Sequence, residues 1–387
     1  MAWDHPRARN PLEAVSARWS ASFGEKVHWD ARPLKAFEDQ PLEQLATSYD
    51  LVLIDHPFVG TASRSGLIVP VDRWVDAAYL DDQARHSVGP SFASYRWAGG
   101  QWALALDAAC QVSAVRTDLP AAQSGALLPR TWKEVAVLAR ALRDAPARVA
   151  LPLNPNHAYC AFLSVGVAAI GSEFWPIGAR VHREAATDAL QYLKNLAADV
   201  HPLSRSADPI AVSDRMTGTD EILYVPLMFG YSNYARPGFR ARMISFGNAP
   251  QGGSGHIGSV LGGVGIALSA QSRMPDAAAD LARTLVSPEV QTGLYVESGG
   301  QPGHAAAWDS AAANKLVSNF FTATRLTIEH AYVRPRVPGH RRFQELAGEL
   351  IHNFVWGTDV DAKTCLAEFD ALTAQLLGDW HEETASP

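Results

Sequence analysis

Residues 49–55, Tyr-Asp-Leu-Val-Leu-Ile-Asp, place four aliphatic side chains in a row between two aspartates. A continuous run of this kind is typical of a strand buried on both faces of a parallel sheet. Helical patterns precede it at about 11–23 and at 41–49, the second opened by Pro41 at a favourable first-turn position. With an extended stretch at 27–30, this order predicts a β-α-β-α-β opening and therefore an open α/β sheet.

The rest of the chain alternates the same two patterns. Further strands are predicted at 102–115, 149–153, 222–228 and 261–268. Helices are predicted at 132–142, after Tyr159, and at 188–198, 276–286, 343–356 and 361–380. Glycine-rich loops interrupt the pattern at 250–258 and 298–303. Because single hydrophobic cores usually stop growing at about 250–300 residues, a chain of 387 residues predicts two lobes.

Composition excludes several classes of protein. The net charge of -7 argues against a nucleic-acid partner, since such proteins concentrate Lys and Arg on one face. Three cysteines without a CxxC spacing indicate neither a disulfide scaffold nor a zinc site. A Cys110–Cys160 bridge is possible, but we favour unpaired, buried thiols. No apolar run approaches the ~18–20 residues of a membrane span, and no secretory signal opens the chain.

Five fragments in order carry a family resemblance. They are Trp3-Asp4-His5-Pro6, the stretch 49–55, Gln101-Trp102-Ala103-Leu104-Ala105-Leu106-Asp107, Gly262-Gly263-Val264-Gly265-Ile266-Ala267 and Gly299-Gly300-Gln301-Pro302-Gly303. Spread over nearly the whole chain, they resemble the family 1 extracellular solute-binding proteins of ABC importers, the group that includes maltodextrin-binding proteins. One departure is the first strand, which has only Met1 and Ala2 ahead of Trp3.

The resemblance implies a type 2 periplasmic-binding fold, an α/β protein with two lobes, each an open mixed sheet with helices on both faces. Lobe one would comprise 1–111 and 262–310, and lobe two 112–261 and 311–387. The chain would cross between lobes near 111–115, near 259–262 and between 308 and 325. A monomer would close its lobes on a small solute and deliver it to the permease subunits of an importer.

The place of action is left open at this point. A cleaved signal replaced by Met1 would mean a periplasmic or extracellular protein, whereas a native Met1 would mean a cytoplasmic one.

Ligands of open α/β sheets bind outside the carboxyl ends of the strands, and this rule selects the candidate site. Aromatic faces there suit the C–H face of a sugar or a flat ring, while carboxylates, amides and imidazoles suit hydroxyls. The loop residue Gln301 and the later Arg334 are added. The candidate ligand-binding residues are Trp3, Asp4, His5, Asp55, His56, Asp107, Gln111, Asn154, His157, Tyr159, Phe229, Tyr231, Gln301 and Arg334.

Plainer structural roles compete with ligand binding at these positions. Trp3 can be a core residue, Asp55 and Asp107 can cap helices, and His5 and His56 can be satisfied structural histidines. Arg334 can form a surface ion pair, or it can reach the cleft and bind a carboxylate, in which case the ligand is an acid.

An enzyme is the alternative function. Cys110 and Asp107 are catalytic candidates, because some enzymes of similar fold, such as those resembling thiaminase I, place a cysteine nucleophile in the interlobe strand. No base or cation that would activate Cys110 is identifiable, and a small buried residue is the simpler interpretation. No cofactor is expected, since the chain has neither GxGxxG after a strand nor GxxxxGK[ST]. Metal binding would need His5, His56 and His157 to converge, and no short spacing supports it.

Overall fold

The computed structural model describes residues 1–32, 42–123, 128–176 and 178–378. Pro41 and the end of the last predicted helix, at Trp380, lie outside these ranges. The strands, in chain order, are β1 (Ala2–Trp3), β2 (Ala31–Arg32), β3 (Leu51–Ile54), β4 (Ile68–Val69), β5 (Arg96–Trp97), β6 (Gly100–Gln101), β7 (Leu104–Val115), β8 (Arg148–Val149), β9 (Ile222–Phe229), β10 (Ser245–Gly247) and β11 (Leu261–Ser269).

Helices alternate with these strands along the chain. They are α1 (Pro6–Phe23), α2 (Leu42–Ser48), α3 (Val59–Ser65), α4 (Ala77–His86), α5 (Pro120–Gln123), α6 (Trp132–Ala141), α7 (Pro155–Ile170), α8 (Arg183–Ala197), α9 (Pro209–Gly218), α10 (Pro275–Val286), α11 (Pro288–Val290), α12 (Ala305–Asp309), α13 (Ala311–Leu316), α14 (Phe320–Glu329), α15 (His340–Trp356) and α16 (Ala362–Leu376). The mixed α/β class predicted from the sequence is confirmed.

Strand β7 joins two halves of the sheet. Its first part, Leu104–Cys110, pairs antiparallel with β11, which pairs on its other side with β3. From Gln111 onward β7 pairs antiparallel with β9 and with β10 instead, and β9 pairs parallel with β8. One strand therefore changes partners in the middle, at the point where the sequence predicts a crossing between lobes.

Three chain segments meet beside this change of partner. The backbone N–H of Gln111 donates to the carbonyl of Val260, and the Ser259 hydroxyl donates to the carbonyl of Gln111. On the other side, Val260 forms an isolated parallel bridge with Tyr332. Three chain segments, at Gln111, Val260 and Tyr332, thus lie next to one another where β7 changes partner.

Several predicted boundaries were wrong. Helix α1 begins at Pro6 rather than at about 11, because His5 caps it by accepting a hydrogen bond from the N–H of Arg7. Residues 27–30 do not form a strand, and β1 pairs instead with β2, at Ala31–Arg32. The buried run β3 is antiparallel to β11, although all four of its residues are buried as predicted. Helix α7 begins before Tyr159, at Pro155.

One helix corrects the expectation that no stretch could cross a membrane. The helical stretch Pro155–Phe174 is long and apolar enough to cross a membrane, by length and composition alone. However, 72% of its most apolar 18-residue segment is buried inside the protein. Helices α8 and α15 pack against α7. Its apolar character therefore serves the core of the protein.

Candidate functional site

A cavity of about 90 Å³ opens where strand ends of both halves meet. Its wall includes six of the predicted residues, namely Trp3, Asp107, His157, Phe229, Tyr231 and Arg334. A larger cavity of about 640 Å³ adjoins it, and Asn156 and His157 line both. The small cavity is here called the inner cavity and the larger one the outer cavity.

Arg7 holds one wall of the inner cavity. Its Nε donates to Asp107 Oδ2 at 2.8 Å, and its Nη2 donates to Asp107 Oδ1. The Nη1 group donates to the carbonyl of Gly230 at 3.0 Å, and the guanidinium lies 4.7 Å from the ring centroid of Tyr231. Burial raises the pKa of Asp107, and Arg7 opposes that effect by donating two hydrogen bonds to the carboxylate. The pair connects α1, β7 and the end of β9.

Arg334 holds a second buried ion pair. Its Nη2 donates to Asp55 Oδ2 at 3.0 Å, and its Nη1 donates to Gln344 Oε1 at 2.9 Å. Burial alone would raise the pKa of Asp55, but the charges and hydrogen bonds of Arg334 and His56 outweigh it and hold that pKa well below its usual range. Gln344 in turn donates to Asn156 Oδ1 at 2.6 Å. Two of the predicted candidates, Asp55 and Arg334, therefore pair with each other beside the cavity wall.

His157 is positioned by the start of helix α7. Asn154 is the N-cap and accepts from the backbone N–H of His157 at 3.0 Å, and Pro155 occupies the first turn. The imidazole Nδ1 lies 2.8 Å from the same Asn154 oxygen. Burial lowers the pKa of His157 to about 4, with Arg334 acting in the same direction and Asp208 against it. The ring is therefore neutral at pH 7.

Aromatic rings complete the inner cavity. Trp3 and Tyr231 are buried and Phe229 is partly buried, and the edge of the His157 ring meets Phe229 at a centroid distance of 6.0 Å. Gly263 allows the backbone of β11 to approach: its φ is +100°, and a Cβ there would lie 2.2 Å from the carbonyl oxygen of Asp107. Gly262 and Gly263 therefore present bare backbone to the inner cavity, which both line.

Other predicted residues lie elsewhere, for identifiable reasons. Asp4 is exposed and pairs with Arg9, and Gln111 accepts from Ser164 at 2.6 Å. Gln301 accepts from the N–H of Ser232 and donates to the carbonyl of Ala108, so both ends of its amide are occupied. Tyr159 is fully buried and meets His340 at 3.3 Å.

Two of the predicted histidines lie behind the inner cavity. His5 caps α1 and touches Tyr231 edge-on at 4.8 Å, and His56 is fully buried beside Asp55. Burial lowers the pKa of both rings to about 4. Within the described ranges, no group of three or more His, Cys, Asp or Glu side chains is arranged to hold a metal ion.

Sequence reasoning missed Arg7 and Asn156. Arg7 could have been found, because a cation in the first turn of a helix opposes the helix dipole and calls for another partner. Asp107, inside an apolar strand, equally calls for a buried cation. Asn156 carries no such signal, since an asparagine in a first turn is common.

The surroundings of Cys110 disfavour its thiolate form. It is buried in β7, and burial raises the pKa of its thiol to about 12, the direction opposite to activation of a nucleophile. Cys110, Cys160 and Cys365 are all free thiols, so the possible Cys110–Cys160 bridge does not form.

Two halves of a mixed sheet share the strand β7, and polar and aromatic side chains line a cavity at their strand ends, a combination typical of proteins that bind a small ligand. A family model described as bacterial extracellular solute-binding protein matches residues 39–320, and the chain belongs to that family. It is therefore a solute-binding protein of ABC transporters, as the resemblance implied. No curated protein sequence matches the chain significantly.

Solved structures share the whole architecture. A solute-binding protein from Agrobacterium radiobacter K84 in complex with ribitol superposes with a TM-score of 0.81 at 19% identity, covering 97% of each chain. Maltose-bound T. maritima MalE3 gives 0.81 at 16% identity over 96% of this chain and 98% of its own. A solute-binding protein from Thermotoga lettingae TMO bound with α-D-tagatose gives 0.81 at 16% identity over 97% and 98%. These likenesses establish the two-lobed fold.

Proposed function

We propose that the protein captures a small, uncharged, polyhydroxylated solute outside the cytoplasm and delivers it to the permease of an ABC importer. The family is extracellular, which supports the periplasmic or extracellular alternative. Structures of similar fold hold ribitol, maltose and α-D-tagatose, which supports a polyol or sugar as the class of ligand. The protein acts as a monomer in this proposal.

The observation that carries the proposal is the composition of the inner cavity. Trp3 and Asp107 come from the proposed lobe one, and His157, Phe229 and Tyr231 come from the proposed lobe two. A solute between them gains contacts from both lobes and so favours the closed state. The proposed hinge is the set of adjacent connections at Gln111, Val260 and Tyr332, which moves the third crossing from 308–325 to Tyr332.

Charge balance favours a neutral ligand. Both guanidinium groups of the inner cavity already have a carboxylate partner: Arg7 has Asp107 and Arg334 has Asp55. The outer cavity is lined by two arginines, Arg341 and Arg342, and by three acids, Asp208, Glu345 and Glu349, and both arginines lie within ion-pair distance of Glu345. A carboxylate ligand would bring a buried negative charge without an unpaired cation to meet it, which is costly. Hydroxyl groups can bond to paired ions without adding charge.

Isothermal titration calorimetry tests this proposal directly. Ribitol, D-mannitol, α-D-tagatose and maltose are titrated beside the charged analogues gluconate and glucosamine. The proposal expects at least one neutral solute to bind and its charged counterpart to bind at least tenfold more weakly. Tighter binding of gluconate, or no binding of any neutral member, would overturn it.

The enzyme alternative is tested on the same samples. A binding protein returns its solute unchanged, so chromatography of the recovered solute after long incubation should show no product. Conversion of the solute that is lost in Cys110→Ser would favour the enzyme instead.

A further inference from the structure

The contacts of His157 determine which of its two ring nitrogens carries the proton. Asn154 Oδ1 accepts the backbone N–H of His157, and a backbone N–H can only donate, so the atom it faces is the amide oxygen. That same oxygen lies 2.8 Å from the imidazole Nδ1. An amide oxygen cannot donate, so Nδ1 must carry the proton.

The second ring nitrogen follows from the first. A neutral imidazole carries one proton, so Nε2 of His157 holds a bare lone pair and can only accept. Neutrality is supported by burial, which lowers the pKa of His157 to about 4 despite the opposing charge of Asp208. Nε2 makes no hydrogen bond within the described residues, and it is not among the nitrogen atoms sealed from solvent. It is thus an available acceptor on a residue that lines both cavities.

Arg334 also lines the inner cavity, but its two Nη groups are engaged and its Nε–H is sealed from solvent. The wall therefore offers Nε2 of His157 as an acceptor that the protein itself leaves unused. A hydroxyl can both donate and accept, whereas an ether or carbonyl oxygen cannot donate.

We propose that His157 is the specificity-determining residue of the inner cavity and that its Nε2 accepts a hydrogen bond from a hydroxyl of the bound solute. This inference rests on the proposed function, since it names the group by which that site recognises a polyol. It excludes solutes that present an ether or carbonyl oxygen at this position. Such a solute would leave the Nε2 of His157 buried without a hydrogen-bond partner, and the loss of that bond weakens binding.

Variants at His157 separate the acceptor from the shape of the ring. His157→Phe keeps a planar ring without an acceptor, and His157→Gln retains an amide oxygen. For the neutral solute that binds most tightly in calorimetry, we expect His157→Phe to weaken binding about tenfold and His157→Gln to recover most of that loss. His330→Phe, at an exposed position, is the matched control and should bind like wild type. Mono-deoxy analogues of the solute identify the hydroxyl, because its removal should weaken binding to wild type but not to His157→Phe.

A second measurement does not depend on affinity. In ¹⁵N-histidine NMR spectra, assigned by comparison with His157→Gln, the free protein should show a protonated Nδ1 and a bare Nε2, and the Nε2 resonance should shift when solute is added. A protonated Nε2, or wild-type affinity and selectivity in His157→Phe, would overturn the inference while leaving the proposed function intact. Failure of wild type to bind any neutral solute would instead count against the proposed function.

Discussion

The guanidinium of Arg7 forms a bidentate ion pair with Asp107, 100 residues further along the chain, and both side chains are buried. The pair fastens the first turn of α1 to the middle of β7, and a third hydrogen bond of Arg7, to the carbonyl of Gly230, reaches the backbone between Phe229 and Tyr231, which both line the inner cavity. Planar, two-point bonding of this kind fixes both direction and distance. The cavity wall is therefore positioned before any solute arrives.

Removal of one partner from this pair should be severely destabilising. Asp107→Ala leaves the buried charge of Arg7 uncompensated, and we expect a loss of about 3–5 kcal/mol in the free energy of unfolding. Asp4→Ala, which removes an exposed partner of Arg9, should cost below about 1 kcal/mol. Urea denaturation measures both. Equal small losses in the two variants would contradict the role given to the pair.

The same measurement has a second arm. The double variant Arg7→Met/Asp107→Leu removes both charges, so it should be more stable than Asp107→Ala alone, because no unpaired buried ion remains.

A methyl group at Gly263 should disrupt the wall of the inner cavity. Gly263→Ala forces a Cβ to within 2.2 Å of a carbonyl oxygen at a φ of +100°, so we expect a loss of more than about 2 kcal/mol, together with weaker solute binding. Gly253→Ala is the control, since Gly253 is exposed and no atom lies within 4 Å of the added Cβ. Thermal unfolding measures the loss of stability in both variants. A Gly263→Ala variant as stable as wild type would contradict the described approach of the two backbones.

The ion pair of Asp55 and Arg334 should make the free energy of unfolding depend on pH in the acidic range. Because the pKa of Asp55 is lower in the folded protein than in the unfolded chain, its contribution is complete above the unfolded value near 3.8 and is lost as the pH falls through the folded value. Asp55→Asn should therefore be less stable than wild type at pH 7, with a difference that shrinks below about pH 4.

Chemical denaturation at several pH values measures this difference. Asp81→Asn, at an exposed position, should match wild type throughout. A difference between Asp55→Asn and wild type that grows as the pH falls would have the wrong sign for this account.

Cys110 should be inert in the folded protein. With its thiol buried and its pKa raised to about 12, iodoacetamide at pH 8 should not modify it until the protein unfolds. Peptide mass spectrometry of samples treated with and without urea gives the result. Rapid modification of the native protein would revive the catalytic alternative.

The sequence predicted the elements whose signal is local. The uninterrupted run Leu51–Ile54 became β3, and the long stretch ending at Val115 became β7, because apolar runs between turn residues need no distant information. The start of α1 was missed because its cap is His5, which is not among the usual capping residues. The direction of β3 was missed because its continuous apolar run reports burial on both faces, which a parallel sheet usually provides, whereas here an antiparallel pair with β11 is buried on both faces.

The site was predictable to the extent that strand ends converge. That rule brought Trp3, Asp107 and His157 to one cavity. The same rule selected Gln111 and Tyr159, whose polar atoms bond to other residues inside the protein, and no sequence pattern tells a satisfied amide from a free one. The pairing of Asp55 with Arg334, 279 residues apart, depends on tertiary structure alone.

Tryptophan fluorescence during titration with neutral polyols and sugars tests whether such a solute binds in the inner cavity, since Trp3 lines that cavity. We expect a saturable change in wild type for at least one such solute, and loss of that change in Trp3→Phe although calorimetry still detects binding. An unchanged fluorescence response in Trp3→Phe, or no saturable response to any of these solutes in wild type, would contradict it.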